Sequence, residues 1–179
     1  MKKVMMLVAS FAIGCSTFKI KQDAYDNSKI IEYEFSKQDA GDGSSLHFLS
    51  SKFQKATKPD NNTTLKLFIH AIGNTNRTMK VDSTVTFKIN EQEFQLQMVD
   101  ENSTINQRVK VNKKKEVVET GIAFLNVYGE IDLNSIKEKL QAANSIVVRF
   151  KRENNSAVFV YTEEQINNIK QLIAHTGAE

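Results

Sequence analysis

Cysteine is nearly absent from this chain: of 179 residues one, Cys15, carries a thiol. A single thiol excludes an intrachain disulfide and any Cys-rich zinc site, so stability has to come from packing and hydrogen bonds. Proline occurs once, at Pro59, and glycine seven times. So few breakers leave no flexible linker and argue for one continuous domain. There is no Trp, and only four Tyr stand against 11 Phe; Trp and Tyr are the usual anchors of carbohydrate and protein recognition surfaces, so their scarcity weighs against a sugar-binding role. An excess of one charge is lacking too. Lys and Arg number 24 against 21 Asp and Glu, a net of +3. That is no electrostatic case for nucleic acid, and basic residues interleaved with stacking aromatics are not found, so no nucleic-acid partner is expected.

The motifs of common chemistries are missing as well. Gly41-Asp42-Gly43-Ser44-Ser45-Leu46 lacks the third glycine and the Lys of a phosphate loop. No Gly-x-Ser-x-Gly elbow occurs. His47, His70 and His175 share no metal-ligand spacing with one another or with a carboxylate. Asp39-Ala40-Gly41-Asp42-Gly43 has a calcium-like composition without the spacing of acids or the bidentate Glu of an EF-hand, and reads as an acidic turn. No catalytic residue, cofactor-binding residue or metal ligand is therefore assigned. The expectation is a protein that is not an enzyme and needs no cofactor.

What the chain does have begins at its N-terminus. Lys2 and Lys3 form a basic head, and Val4 to Ile13 is an uncharged, mostly apolar run. Ten helical residues span about 15 Å, half of a hydrocarbon core, which is too short to cross a bilayer but fits a secretory signal. Small residues follow, and Ala12-Ile13-Gly14-Cys15 resembles the lipobox of bacterial lipoproteins, departing from it at Ala12, where Leu is commonest. The resemblance implies that residues 1–14 are removed and that the Cys15 sulfur carries a diacylglycerol, palmitate-type anchor. Loss of Lys2 and Lys3 takes the net charge from +3 to +1. Two or three acyl chains hold a protein stably at a membrane, at about 0.8 kcal/mol per buried CH₂. Ser16 follows the cysteine in place of the Asp of inner-membrane retention signals, so the expected location is the cell envelope, anchored at the outer membrane. Residues 15–28 are expected to be the anchored N-terminus and a short tether, although Phe18 and Ile20 alternate as a strand would. Residues 29–179 are expected to form a single β-rich domain.

Within that domain the hydrophobic period is two. Ile30 to Phe35 and Ser44 to Phe53 read as strands, and Lys58-Pro59-Asp60-Asn61-Asn62 as a turn. Leu65, Leu67, Ile69 and Ala71 alternate with Lys66, Phe68 and His70, a strand with a second, partly apolar face, and Gly73-Asn74-Thr75-Asn76 is expected to turn the chain. Residues 79–99 form the clearest hairpin. A two-residue loop at Asn90-Glu91 sets Phe87 opposite Phe94, Val85 opposite Leu96 and Ser83 opposite Met98; a one-residue slip would exchange the faces. Because Glu91 tolerates positive φ poorly, a four-residue loop in the same register stays open. Residues 104–112 and 116–128 read as two further strands around a lysine-rich loop.

The last fifty residues change character. Ile131 to Leu140 reads as a short helix, near 133–143, capped by Asp132 or Asn134. Ser145 to Arg152 is a strand with Ile146, Val148 and Phe150 inward. Ala157 to Tyr161 is a strand apolar enough to be covered on both faces. Thr162-Glu163-Glu164-Gln165 is a capping box that opens a helix with the apolar stripe Ile166, Ile169, Leu172 and Ile173. This order of helix, strand, polar turn, strand and capped helix resembles small secreted bacterial β-rich proteins and brings no catalytic residues with it. The fold expected is mainly β (α+β): an antiparallel β-sandwich or partly open barrel, with the C-terminal helix packed on it.

Three functional readings follow, the third a hydrolase with dispersed residues. The first is a lipid-anchored, non-catalytic interaction module whose partners are the membrane, through its lipid, and an envelope or host protein or cell-wall polymer. Its candidate contact with an anionic surface is the basic cluster Arg108, Lys110, Lys113, Lys114 and Lys115. The second is a carrier that holds a small apolar ligand in a Phe-rich, barrel-like pocket.

Overall fold

The structure, a computed structural model, describes residues 18–38, 46–75, 84–111, 117–152 and 155–175. Among the described residues nine strands form one sheet: β1 (Phe18–Gln22), β2 (Lys29–Gln38), β3 (Leu46–Thr57), β4 (Thr63–Thr75), β5 (Thr84–Ile89), β6 (Gln92–Val111), β7 (Val117–Asp132), β8 (Ile146–Arg152) and β9 (Asn155–Val160). Their order is β1-β2-β3-β4-β7-β6-β5-β8-β9, and all neighbours are antiparallel. The sheet curls into a half-barrel, so of the two architectures expected the open barrel is the one formed. A 3-10 turn (Asn134–Ile136) runs into α1 (Lys137–Gln141), and α2 (Glu163–Ala174) ends the described chain.

The curl is made by β6. Its first residues, Gln92 to Gln97, pair with β5, and from Met98 onward the strand pairs with β7 instead. A strand that changes partner along its length turns a sheet corner. Alternation then sends one residue in two to the inside. One inner row runs Tyr33, Phe53, Leu67, Ile131 and Met98 across β2, β3, β4, β7 and β6, each opposite the next. On the other limb Phe87 stands between Phe94 and Val148, and Val148 faces Phe159. Phe53, Leu65, Leu67, Val85, Phe87, Ile131, Ile146 and Val148 have no exposed surface; burying each such side chain is worth about 1.5–3 kcal/mol.

α2 packs against β2 and β3. Thr162 Oγ1 accepts from the Gln165 backbone N–H at 3.3 Å, and the Gln165 side chain accepts from the Thr162 N–H at 2.8 Å, so the expected capping box is formed. Ile166, Ile169, Leu172 and Ile173 are buried, as their spacing requires. Two polar links join the helix to the sheet: Asn168 donates to the Tyr33 hydroxyl at 2.7 Å, and the buried Lys55 ammonium donates to the Ile173 and His175 carbonyls, both at 2.6 Å. Lys55 thereby satisfies carbonyls that the helix end would leave without partners. Burial, with Lys137 nearby, lowers its pKa.

Several sequence expectations change in detail. Phe18 and Ile20 do form a strand, β1, so the sheet begins inside the stretch taken as a tether. Gly73, Asn74 and Thr75 do not turn the chain but continue β4, opposite Leu125, Phe124 and Ala123 of β7. The first of the two strands expected between 104 and 128 is part of β6, which runs unbroken through Asp100 to Ser103. Register shifts at Asp100/Asn102, Gln107/Val109 and Lys110/Val111 disrupt its alternation. Ile131 and Asp132 belong to β7 rather than to the short helix. Asp132 Oδ1 accepts from the Asn134 N–H at 2.8 Å, while Asn134 Oδ1 accepts from Leu65 of β4 at 2.9 Å, so neither caps α1. β9 is the last strand of the sheet and is covered on one face only: Phe159 is buried, whereas Val160 is 65% exposed.

The hairpin closes with the two-residue loop. Phe87 faces Phe94 and Val85 faces Leu96 as expected; Ser83 lies outside the described residues. Asn90 and Glu91 have φ of 46° and 69°, the left-handed pair of a type I′ turn. Glu91 is held there beside Lys88, with 2.7 Å between the charged groups. Asn90 is fixed by the α1–β8 connection: its Oδ1 accepts from the N–H groups of Asn144 and Ser145 at 2.7 and 3.0 Å, and its Nδ2 donates to the Ala142 carbonyl at 3.1 Å.

Candidate functional site

Residues that alternate with the core point to the outer face of the sheet, and there β1, β2, β3, β4 and β7 build a groove of about 390 Å³, open to solvent. On one side is a ladder of charge. Glu32 lies on β2, with Gln54 of β3 directly opposite and Lys21 and Lys52 on the diagonals. Lys21 Nζ donates to Glu32 at 2.7 Å, Lys52 Nζ at 3.1 Å and Gln54 Nε2 at 3.0 Å. The Glu32 side chain is 7% exposed. Burial pushes its pKa up, but the hydrogen bonds from Lys21, Lys52 and Gln54 outweigh burial and hold the carboxyl below the usual range. Glu34, next along the same face, meets Lys19 at 3.4 Å, with both side chains half exposed.

The opposite side is aromatic. Ser50, His70 and Tyr128 are direct cross-strand neighbours on β3, β4 and β7. The His70 and Tyr128 rings stack, with centroids 4.3 Å apart and an interplanar angle of 8°. One row along, Lys52 lies over the Phe68 ring at 4.8 Å, and Lys66 meets Glu130 at 2.6 Å. The groove therefore offers ring surface, hydroxyl, carboxylate and ammonium side by side on rigid strands. Its three lysines and two glutamates nearly balance, and all five are ion-paired.

Of the residues singled out from sequence, the groove brings in His70, which stands on the second face of its strand as expected. His175 follows α2, exposed, with its carbonyl bonded to Lys55. His47 lies on β3, and Arg108 and Lys110 lie on β6. Cys15, the lipobox-like segment, the Asp39–Gly43 turn and Lys113, Lys114 and Lys115 lie outside the described residues. Among the described residues no group of three or more His, Cys, Asp or Glu could hold a metal, and no helix is long and apolar enough to cross a membrane.

Nothing local in the sequence singles out Lys21, Lys52, Gln54 or Tyr128, and Glu32 stands there as one of four scattered acids with Asp23, Asp26 and Glu34. The available signal was Phe68 and His70 on the polar side of an alternating strand, which marked that face of β4 as something other than a plain solvated surface.

No family model, curated protein or solved structure matches the chain, so its function is argued from its own residues.

Proposed function

We propose that this chain is a non-catalytic binding module of the cell envelope, held at the membrane through lipid on Cys15, and that it meets its partner with the outer-face groove. The observation that carries the binding half is the groove itself: an ion-paired carboxylate ladder facing an aromatic row, on five strands of one sheet. Small-molecule and polymer sites combine apolar surface with a few fixed polar groups in this way. The anchoring half is supported by the basic head, the short apolar run and the lipobox-like Ala12-Ile13-Gly14-Cys15. The interior favours this reading over an apolar-ligand carrier. The Phe side chains that would line a carrier's pocket are spent on one another: Phe35 and Phe53 meet edge-on at 5.6 Å, Phe150 and Phe159 at 5.7 Å, and Tyr161 closes on the first pair.

The test is fractionation of the native host with mass measurement of the processed N-terminus. The expected product starts at a lipid-modified Cys15 and sediments with membranes, and Cys15→Ala releases it. A Cys15→Ala protein that is still processed and membrane-bound refutes the anchor.

A further inference from the structure

We propose that the groove's ligand is a neutral oligosaccharide. This deepens the reading of the groove as the contact surface and rests on it. Lys19, Lys21 and Lys52 are each already committed to Glu32 or Glu34, at 3.4, 2.7 and 3.1 Å. A concentrated anion would have to break those pairs and sit against two carboxylates. A cation would meet three ammonium groups. Either pays in lost ion pairs and like-charge repulsion. A neutral polyhydroxyl ligand breaks nothing: its hydroxyls donate to Glu34 and accept from Lys19, Lys21 and Ser50, whose side chains face the same space.

The groove also offers apolar surface. A pyranose ring has one face of C–H groups, which needs a flat, polarisable surface. Tyr128 is 38% exposed and is braced from behind by the parallel His70 ring; bracing fixes the ring before binding and lowers the entropic cost of ordering it. Phe68 extends the aromatic row toward Lys52. An open trough of about 390 Å³ suits a short stretch of chain lying along the sheet rather than an enclosed monomer. Saccharides pair hydroxyls with C–H faces at the spacing of a ring, and here the polar ladder and the aromatic row lie a strand or two apart.

The test is titration of the full chain with three neutral probes, chitotriose, cellotriose and maltotriose, followed by backbone amide NMR. At least one probe should bind with a Kd of about 1 mM or tighter, shifting amides of β2, β3, β4 and β7. Affinity should change less than about twofold between ~50 and ~500 mM salt, because no net ion pair forms. Tyr128→Ala should weaken binding about tenfold or more, while Tyr128→Phe should stay within about threefold. Glu34→Ala, at a half-exposed position, should weaken it severalfold and serves as the second variant if Tyr128→Ala misfolds. Three silent probes at ~20 mM, shifts confined to other strands, or steep salt dependence with tripolyphosphate as a stronger competitor would overturn the proposal. Cys15→Ala protein should keep the same affinity, so failure of the anchor and failure of the ligand assignment are read separately.

Discussion

Replacing Glu32 by Gln removes one negative charge from the most enclosed polar position of the outer face while keeping the shape of the side chain. Three donors lose their charged acceptor: Lys21, Lys52 and Gln54. A hydrogen bond to a charged group is worth about 1.5–3 kcal/mol where water is excluded. Here the lysine side chains are 40% and 34% exposed and regain water when the carboxylate goes, which pulls each contribution toward the fraction of a kcal/mol typical of surface pairs. The amide oxygen of Gln also retains one acceptor. The net loss is therefore about 1–2 kcal/mol, or about 3–6 °C in Tm for a domain of this size. The effect depends on pH with a definite sign. Glu32 has a folded pKa below the ordinary glutamate value of 4.5, so its stabilisation is complete above pH 4.5 and is lost as pH falls through the folded value. Urea unfolding followed by circular dichroism at pH 7.5 and pH 2.5 measures the change. The gap between parent and Glu32→Gln should be largest at pH 7.5 and shrink in acid. Equal stability at pH 7.5, or an undiminished gap at pH 2.5, would refute the view that Glu32 is held as a bonded carboxylate.

Other positions give independent checks. Glu91→Gly should stabilise the protein by about 0.5–1 kcal/mol in the same unfolding assay, since glycine adopts positive φ without strain and the Lys88 pair it sacrifices is exposed. Tyr161, fully buried beside Ser51, has its pKa raised from 10.0 to about 12. Stability should hold below pH 10 and fall by about 2–3 kcal/mol as pH climbs to 12, and Tyr161→Phe should abolish that part of the alkaline loss, read as the difference in urea midpoints. Lys55→Met should cost about 1–2 kcal/mol at pH 7, because the Ile173 and His175 carbonyls lose their donor. With a folded pKa below 10.5, the parent should gain stability relative to Lys55→Met as pH rises through the folded value toward 10.5, which paired unfolding curves will show.

Local features of this fold were readable because each is encoded within a few residues. Phe87 and Phe94 announce their own register, since any odd loop would place an apolar side chain opposite Gln95. Thr162 and Gln165 announce the start of α2, and four apolar residues at helical spacing announce its buried face. Longer continuity was hidden where the alternation breaks. Asp100 to Ser103 has loop composition, yet β6 passes through it with a register shift that absorbs the mismatch. Gly73 to Thr75 has turn composition, yet β7 pairs with it, and pairing from a distant strand outweighs local preference. The ends of the sheet misled for a related reason: Val158, Phe159 and Val160 look like a doubly covered strand, but a terminal position leaves Val160 in water.

The groove was not legible because no segment contains it. Glu32 and Lys52 are 20 residues apart, and Ser50, His70 and Tyr128 become neighbours only through the order β3-β4-β7, which nothing local in the sequence specifies. What ties this outer site to the interior is the strict alternation of β4 and β7. Ile69 sits between Phe68 and His70, and Gly129 between Tyr128 and Glu130, and both are buried between neighbours that face outward. At Gly129 the core side has no room to spare: a Cβ there would lie 2.6 Å from Met98 Cγ and 3.4 Å from Ile69. Met98 is also where β6 changes partner and the sheet turns its corner. The missing side chain at Gly129 thus lets the corner residue pack beneath the strand that presents Tyr128. The aromatic wall of the groove is positioned by how tightly the half-barrel closes on the other face of the same strand.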